Sequence, residues 1–339
     1  MDGTHVKNAH ETEYSNTEQE LNRAIREHKE DGERFWFSKV SMTIQPVMIS
    51  ESPFDDKNEA DVEIRTVTLT KEVSTDLKQF NNKRQMTNFE FFIGIYQLFL
   101  HLVSENDVIS VASFIDLRQF LERSKSTGSM ENLVPYITTF HKDQSCIQFL
   151  LENADNVRET NKHGIIPFND IQSMFTDTLS GVNAFMHGIF IDHCCSGDFV
   201  GISQNVTLTA MRSFDSRFHT SLHISENDIT QQTVLSLHYK PRFVQEITAL
   251  QILNGLLKIT DTTLNVKDVT IEQIRKKFNS AQMESSRKPP NGQEKQSFTN
   301  GDMDGEKVIL NGNLEDGIRF EGKILFYEKI TEYICASLL

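Results

Sequence analysis

The chain has 339 residues, with 34 basic and 48 acidic side chains, so its formal net charge is −14. An acidic chain of this size repels phosphate backbones and anionic lipid headgroups, which argues against nucleic acid or a membrane surface as a partner. Hydrophobic residues make up 38% and charged residues 24% of the chain, as in soluble globular proteins with one large domain or two ordinary ones.

The cysteines and the polar N-terminus indicate a protein of a reducing compartment. No CxxC pair occurs among Cys146, Cys194, Cys195 and Cys335. No signal peptide is recognisable, and no apolar run approaches the roughly 20 residues that span a bilayer. We therefore expect a cytoplasmic protein without a membrane partner.

The first sixty residues predict a disordered start followed by a helix. Residues 1–16 are polar and are expected to be mobile. From Thr17 to Val40 apolar residues recur at three- and four-residue spacing, which predicts a helix, and 50–60 read as a polar loop. Residues 17–60 are therefore interpreted as a linker helix region.

Residues 61–281 alternate predicted strands and helices, which indicates a layered α/β lobe. The helix over 89–103 is apolar almost all round and is predicted to be buried on every side. In chain order the predictions are strand 61–70, helix 71–85, helix 89–103, strand 108–115, strand 133–140, helix 145–161, helix 169–175, strand 184–191, strand 217–224, strand 233–239 in antiparallel pairing with its predecessor, helix 244–259 and helix 269–281.

The C-terminal part of the chain differs in composition. Residues 282–316 are rich in proline, glycine and charge, which predicts a flexible, disordered linker. Residues 317–339 regain apolar side chains and are expected to form a short C-terminal extension that is too small to fold alone.

The residues of the central elements resemble the condensation domains of nonribosomal peptide synthetases over about Asp61 to Thr260. Phe35-Trp36 resembles the aromatic signature that follows that family's inter-lobe linker. The segment His163 to Phe168 resembles its histidine-x-x-x-Pro-Phe turn, and Leu235 to Tyr239 its closing strand. The resemblance implies the C-terminal lobe of a chloramphenicol-acetyltransferase-like fold, a two-layer α/β sandwich.

The catalytic motif of the family has no counterpart in these 339 residues. The family's acyl transfer uses HHxxxDG in the N-terminal lobe, whereas this sequence contains no paired histidine. A histidine so placed orients the attacking amine or removes its proton, which is typically worth ~10²–10⁴ in rate. The stretch Asn132 to Ile137 and the region of Ser180 to Val182 also depart from family motifs. The resemblance therefore implies no catalytic residue on this chain.

Four residues are expected by resemblance to face the channel or the missing N-terminal lobe: Arg118, His163, Pro167 and Phe168. For His163, a turn histidine bonded to backbone is an equal alternative. The resemblance implies no directly bound cofactor. Phosphopantetheine would be carried on a partner carrier protein, and the partner would be that carrier or the missing N-terminal lobe.

Metal-capable side chains occur in two places, and neither has the spacing of a metal site. His187, Asp192 to Cys195 and Asp198 lack CxxC or HxxxH spacing and are interpreted as core or loop residues. His219 and His223 lie too far apart along one strand to share an ion. No metal site is therefore predicted.

Three functional hypotheses remain open. The first is a condensation-domain relative that joins acyl or aminoacyl thioesters to amines, forming amide bonds, only when a second lobe comes from another chain. The second is a non-catalytic docking module, a pseudoenzyme that binds carrier proteins or a partner lobe. The third is a truncated gene product. The sequence favours no independent catalysis and identifies neither the acyl nor the amine substrate.

Overall fold

The structure, a computed structural model, describes residues 3–40, 44–49, 62–121, 130–175, 185–191, 218–227, 229–266 and 269–278. Within them, helices and strands form a mixed α/β lobe. The helices are α1 (Gly3–Val40), α2 (Lys71–Arg84), α3 (Asn88–Ser104), α4 (Cys146–Lys162), α5 (Phe168–Phe175) and α6 (Glu246–Asn265), and residues 271–278 are also helical. The strands are β1 (Glu63–Thr68), β2 (Val108–Asp116), β3 (Glu131–Thr139), β4 (His187–Ile191), β5 (Thr220–Glu226) and β6 (Thr233–Tyr239), and a short 3₁₀ helix spans Leu117–Phe120.

The six strands form one sheet in the order β1-β6-β5-β4-β2-β3. Strands β2, β4 and β5 run parallel to one another, whereas β1, β6 and β3 pair antiparallel with their neighbours. The antiparallel pairing of β5 with β6 and the α/β sandwich class are therefore confirmed. The two faces of the sheet differ because successive side chains alternate between them.

One face of the sheet packs against the helices, and α3 lies at the centre of this layer. Thirteen of its residues are buried, from Glu90 to Leu102, as the apolar sequence predicts. Its N-terminus is fixed by a capping box, in which Thr87 Oγ1 accepts from the Glu90 amide and Glu90 Oε2 accepts from the Thr87 amide. Glycines permit close packing here, since a Cβ on Gly94 would lie 2.6 Å from Leu150 and one on Gly255 would lie 2.5 Å from Phe99.

The opposite face, here called the second face, carries a different set of side chains. Residues that pair directly across neighbouring strands lie on the same face, so the pairing of Ala112 with Gly188, and of Gly188 with Ser221, identifies the side chains of this face. They include Phe114 of β2, Phe190 of β4, Ser221 and His223 of β5, Ser236 and His238 of β6, and Thr66 of β1.

The first helix begins earlier than the sequence predicted. It starts at Gly3, so the prediction that 1–16 form a disordered N-terminus is wrong from Gly3 onward. The physical reason is that residues 4–31 contain neither proline nor glycine, so no helix breaker separates the predicted helix from the segment before it. The linker at 282–316 and the extension at 317–339 lie outside the described residues, and the proposed boundaries at 61 and 281 stay predictions.

Across the described ranges, no single helix has both the length and the apolar content to cross a bilayer. Within these ranges, only α2 and α3 taken together have that length and apolar content, and the two helices are bent by 104° relative to each other.

Candidate functional site

The turn at 163–168, which carries three of the four expected site residues, is fixed by Asn132 of β3. Asn132 Nδ2 donates to the carbonyl oxygens of Gly164 and Ile166, both at 2.7 Å, and Asn132 Oδ1 accepts from the Phe168 amide at 3.2 Å. Pro167 follows, and its carbonyl accepts from the amides of the first turn of α5. Since one side chain satisfies three backbone groups, the turn has one defined conformation relative to the sheet.

Helix α1 docks on the same turn. Trp36 is 1% exposed, and its indole Nε1 donates to the His163 carbonyl at 3.1 Å. The Phe35 ring stacks on the His163 ring with 4.4 Å between centroids. Gly32 lies so close to Ile166 that a Cβ there would be 2.5 Å away. The aromatic signature and the histidine-containing turn, 127 residues apart in sequence, thus form one packing junction.

His163 therefore has a structural role in this lobe. Besides the Phe35 stack, its Nε2 lies 3.3 Å from Glu159 Oε1, and its amide donates to the Thr160 carbonyl. The imidazole contacts are with a side-chain carboxylate and a ring, so neither the channel-facing histidine nor the backbone-bonded turn histidine is tested by them. These contacts hold the imidazole between α1 and the end of α4.

Arg118 lies in the 3₁₀ helix directly after β2. Its Nη1 is 3.1 Å from Asp116 Oδ1, and the same carboxylate oxygen accepts from the Arg118 amide. The carboxylate caps the short helix and orients the guanidinium at the carboxyl end of β2. This end of the sheet also contains exposed apolar side chains that the sequence did not single out.

Two of these side chains, Phe114 and Ile191, are exposed, and together with the half-buried Phe190 they are here called the apolar rim. Phe114 and Phe190 lie on the second face, whereas Ile191 ends β4 on the helix-covered face. Phe114 is 37% and Ile191 43% exposed, and the rings of Phe114 and Phe190 lie 5.4 Å apart. Phe190 packs with Phe168 against a small buried cluster of Ala112, Leu133 and Phe218. The structure therefore brings Phe168 and Arg118 to the same end of the sheet as the rim.

A polar cluster continues from the rim across the second face. The Ser221 hydroxyl lies 3.0 Å from His223 Nε2, and the rings of His223 and His238 stack with 3.8 Å between centroids. The ring of Phe190 lies 5.1 Å from that of His223, so the rim and the imidazole pair are in contact. Both histidines are at most 3% exposed.

His187 forms a separate, fully buried relay on the helix side of the sheet. Its Nε2 donates to the Val47 carbonyl at 2.9 Å, since a carbonyl oxygen can only accept. The neutral ring then accepts at Nδ1 from the Thr220 hydroxyl at 2.7 Å, and Thr220 accepts from the Tyr96 hydroxyl at 2.7 Å. Burial lowers the pKa of His187 to about 4, which agrees with this neutral tautomer.

No metal centre is formed by the part of the chain that the structure describes, where no three histidine, cysteine, aspartate or glutamate side chains converge. The segment Asp192 to Cys195, with Asp198, lies outside the described residues, as does Ser180 to Val182. His219 stacks on Phe243 with 3.8 Å between centroids, whereas His223 stacks on His238. His219, which directly precedes β5, and His223 of β5 therefore belong to different contacts.

Three features of the site were missed by the sequence predictions. Asn132 was noted only as part of a degraded motif, and the rim and His238 were not singled out. Period-two spacing of Ser221 with His223 and of Ser236 with His238 was the available signal, because it places each pair on one face of its strand.

Comparison with known proteins identifies the family. The sequence model of the condensation domain matches residues 2–275. No curated protein sequence matches the chain significantly.

Solved structures with a similar fold come from biosynthetic assembly proteins. A four-domain nonribosomal peptide synthetase, holo-AB3403 bound to AMP and glycine, superposes with a TM-score of 0.61 at 17% identity, covering 73% of this chain and 20% of that one. The condensation domain of the Monacolin K polyketide synthase MokA gives 0.58 at 14% identity, covering 75% and 61%. The X-domain of teicoplanin biosynthesis, in complex with OxyB, gives 0.59 at 15% identity, covering 77% and 59%.

The chain spans less than two thirds of the length of each of these solved chains. The likeness concerns the fold, whereas the family model covers most of the sequence. On that match, the chain belongs to the condensation-domain family.

Proposed function

We propose that the chain forms one wall of a condensation channel and supports amide bond formation only when a second lobe, from another polypeptide, docks on the apolar rim. The observation that carries the proposal is the exposure of Phe114 and Ile191 at the carboxyl ends of two adjacent parallel strands. Ligands of open α/β sheets bind at this edge of the strands. Large apolar side chains exposed at such an edge are typical of an interaction site.

The surroundings of the rim support a preformed docking surface. Asn132 and Trp36 fix the turn that carries Phe168, and Phe168 and Phe190 rest on the same buried cluster. Arg118, held by Asp116, adds a charged group at the margin of the rim. A rigid apolar centre with a polar margin is the usual anatomy of a protein interface.

The proton acceptor of the reaction is proposed to come from the second lobe. His163 is stacked between α1 and α4, and the imidazoles next to the rim are buried on the second face. A general base must approach within about 2.6–3.2 Å of the proton it removes. The chain would contribute shape and orientation to the channel, while the partner lobe would contribute the histidine motif that this sequence lacks.

The thioester would arrive on the phosphopantetheine arm of a carrier protein. Such an arm combines amide groups with apolar carbons, and the rim offers aromatic and aliphatic surface to the latter. The arm belongs to the carrier, so the described residues would meet it by contact alone. The acyl group and the amine are not specified by these contacts.

Docking can be tested with a separately expressed N-terminal condensation lobe that contains HHxxxDG. Its association with the chain would be measured by sedimentation velocity and fluorescence anisotropy. We expect Phe114→Ser and Ile191→Ser to weaken the complex at least about tenfold, since loss of a central apolar anchor costs about 2 kcal/mol or more and tenfold corresponds to about 1.4 kcal/mol. Ile247→Ser is the matched control because Ile247 is 59% exposed in the first turn of α6, which follows the antiparallel strand β6 at the opposite end of the sheet.

Equal binding by the rim variants and the wild-type chain would contradict the rim as the docking surface. Absence of any complex with condensation lobes from several synthetases would contradict the proposal as a whole.

A second candidate function is a non-catalytic docking module. It is favoured by the structural likeness to the X-domain, which was solved in complex with OxyB. On this alternative the chain would bind a carrier protein without any second lobe. Titration with a phosphopantetheine-loaded carrier protein separates the two, since binding without a partner lobe supports the module and failure to bind opposes it.

A further inference from the structure

A cleft of about 360 Å³ opens in the helix layer, between α2, the end of α6 and the first turn of α4. Its volume lies within the range of small-molecule sites, which is roughly 300–1,000 Å³. The apolar part of the lining is formed by Phe80, Ile147, Leu264 and Val266. Lys83 and Arg84, in the last turn of α2, add two positive charges to one wall, and Asp76, about two turns earlier on the same helix, adds one negative charge.

Arg84 has an unusual electrostatic environment. Its guanidinium carbon lies 3.7 Å from the centroid of the Phe80 ring, and Nη1 donates to the Phe80 carbonyl at 3.3 Å. Burial lowers the pKa of Arg84, and among the described residues no carboxylate lies within 4.0 Å of it. By contrast, Arg65 and Arg158 each lie against a glutamate.

A partly buried guanidinium without a counter-ion is prepared to bind an anion. A guanidinium presents five N–H donors in a planar fork that matches carboxylate and phosphate. The Phe80 carbonyl is the acceptor that the described part of the chain supplies. The chain as a whole is acidic, with a net charge of −14, so this basic pair is not part of a generally positive surface.

We propose that this cleft binds a small amphiphilic anion, with its carboxylate or phosphate on Arg84 and Lys83 and its apolar body against Phe80, Leu264 and Val266. Val266 is 37% exposed, so the apolar lining is accessible from solvent. Binding would cover this surface and neutralise the guanidinium at the same time. The apolar contact and the charge-assisted hydrogen bond are each weak alone, and a ligand with both an apolar body and an anionic group combines them.

The site is independent of the rim. Ile147 is in the first turn of α4, whereas the turn at 163–168 follows its last residue. At 1.5 Å per residue the two ends of this helix are roughly 24 Å apart. Binding in the cleft therefore does not require a partner lobe, and it can be tested on the chain alone.

The test is isothermal titration of the full chain with octanoate and with octyl phosphate, which separates a carboxylate from a phosphate source. Octanol has the apolar body without the charge, and acetate has the charge without the apolar body. We expect measurable binding of at least one of the two octyl anions. Octanol and acetate should bind at least about tenfold more weakly, because octanol lacks the charge-assisted hydrogen bond and acetate lacks the apolar contact.

Variants connect the binding to the cleft. Arg84→Gln removes the charge at nearly constant shape and is expected to weaken binding of the octyl anion about tenfold. Arg34→Gln is the matched control, since Arg34 is an exposed arginine of α1 that pairs with Glu30 and Asp31. Val266→Trp fills the cleft and is expected to abolish binding. Thermal melts would confirm that all three variants are folded.

The proposal is overturned if neither octyl anion binds at millimolar concentration, if octanol binds as tightly as the anions, or if Arg84→Gln binds like the wild-type chain.

Discussion

Replacing Asn132 tests the junction on which the proposed docking surface depends. In Asn132→Asp, a carboxylate oxygen takes the place of Nδ2, which donates to the carbonyls of Gly164 and Ile166 at 2.7 Å. Two donor hydrogen bonds are lost, and a negative charge is placed against two carbonyl oxygens. Only the acceptor contact with the Phe168 amide, at 3.2 Å, can persist.

The magnitude follows from these three contacts. A hydrogen bond contributes about 0.5–1.5 kcal/mol to stability, so Asn132→Ala, which loses all three, is expected to lower the free energy of unfolding by about 2–4 kcal/mol. Asn132→Asp is expected to cost at least as much, because repulsion between the carboxylate and the carbonyls adds to the two lost bonds. The control is Asn169→Asp, an exposed side chain in the first turn of α5, where a negative charge is tolerated or slightly favourable.

The assay is urea unfolding followed by tryptophan fluorescence and far-UV circular dichroism. Trp36 is the single tryptophan of the chain and donates to the His163 carbonyl within the same junction. Its emission therefore reports on the contact between α1 and the turn, while the dichroism reports on the whole lobe. Unfolding free energies of both Asn132 variants within about 0.5 kcal/mol of wild type, the range of ordinary surface substitutions, would refute the reasoning.

Three further predictions concern the helix layer and the core. Because burial lowers the pKa of His187 to about 4, the unfolded chain binds a proton below pH 6.5 that the folded chain does not. The stability that neutral His187 contributes is therefore complete above pH 6.5 and is lost as the pH falls toward 4, by up to about 3 kcal/mol. Urea unfolding at several pH values should show that the free energy of unfolding of His187→Asn falls less over this range than that of the wild-type chain. Arg158→Leu leaves the buried Glu90 carboxylate without the guanidinium that lies 2.7 Å from it, and it should lower the free energy of unfolding by about 2–4 kcal/mol in the same assay. The control is Arg34→Leu, because Arg34 is exposed and its loss should cost less than about 0.5 kcal/mol. The thiol of Cys146 is buried, and burial raises its pKa to about 11. Peptide mapping after iodoacetamide treatment should therefore find Cys146 alkylated only in denaturant. Alkylation in the native chain would contradict its placement between α4 and α6.

Local features of the fold could be predicted from the sequence because they depend on neighbours along the chain. The apolar run of α3 follows from periodicity, and the pairing of β5 with β6 follows from the short turn between them. The start of α1 was placed too late because the polar residues before Thr17 were interpreted as disorder, although they contain no helix breaker between Gly3 and Thr17.

The site could be predicted only in part, for a different reason. The resemblance named Arg118 and Phe168, which lie at the same end of the sheet as the rim, and His163, which stacks on Phe35 of α1, a contact that the sequence did not predict. That these residues face a channel stays a prediction. The rim and the stacked histidines arise from the register between strands that are far apart in sequence, such as Gly188 with Ala112. No periodicity within one strand specifies which residue of another strand lies beside it.

We propose that this chain is one wall of a condensation channel and needs a second lobe for chemistry. The most direct measurement is amide formation from two loaded carrier proteins, followed by mass spectrometry of the carrier-bound product. The chain and an HHxxxDG-containing lobe would be supplied separately and together. We predict product only with both polypeptides present, and less of it with Phe114→Ser. Product from the chain alone, at the rate of the mixture, would contradict the account.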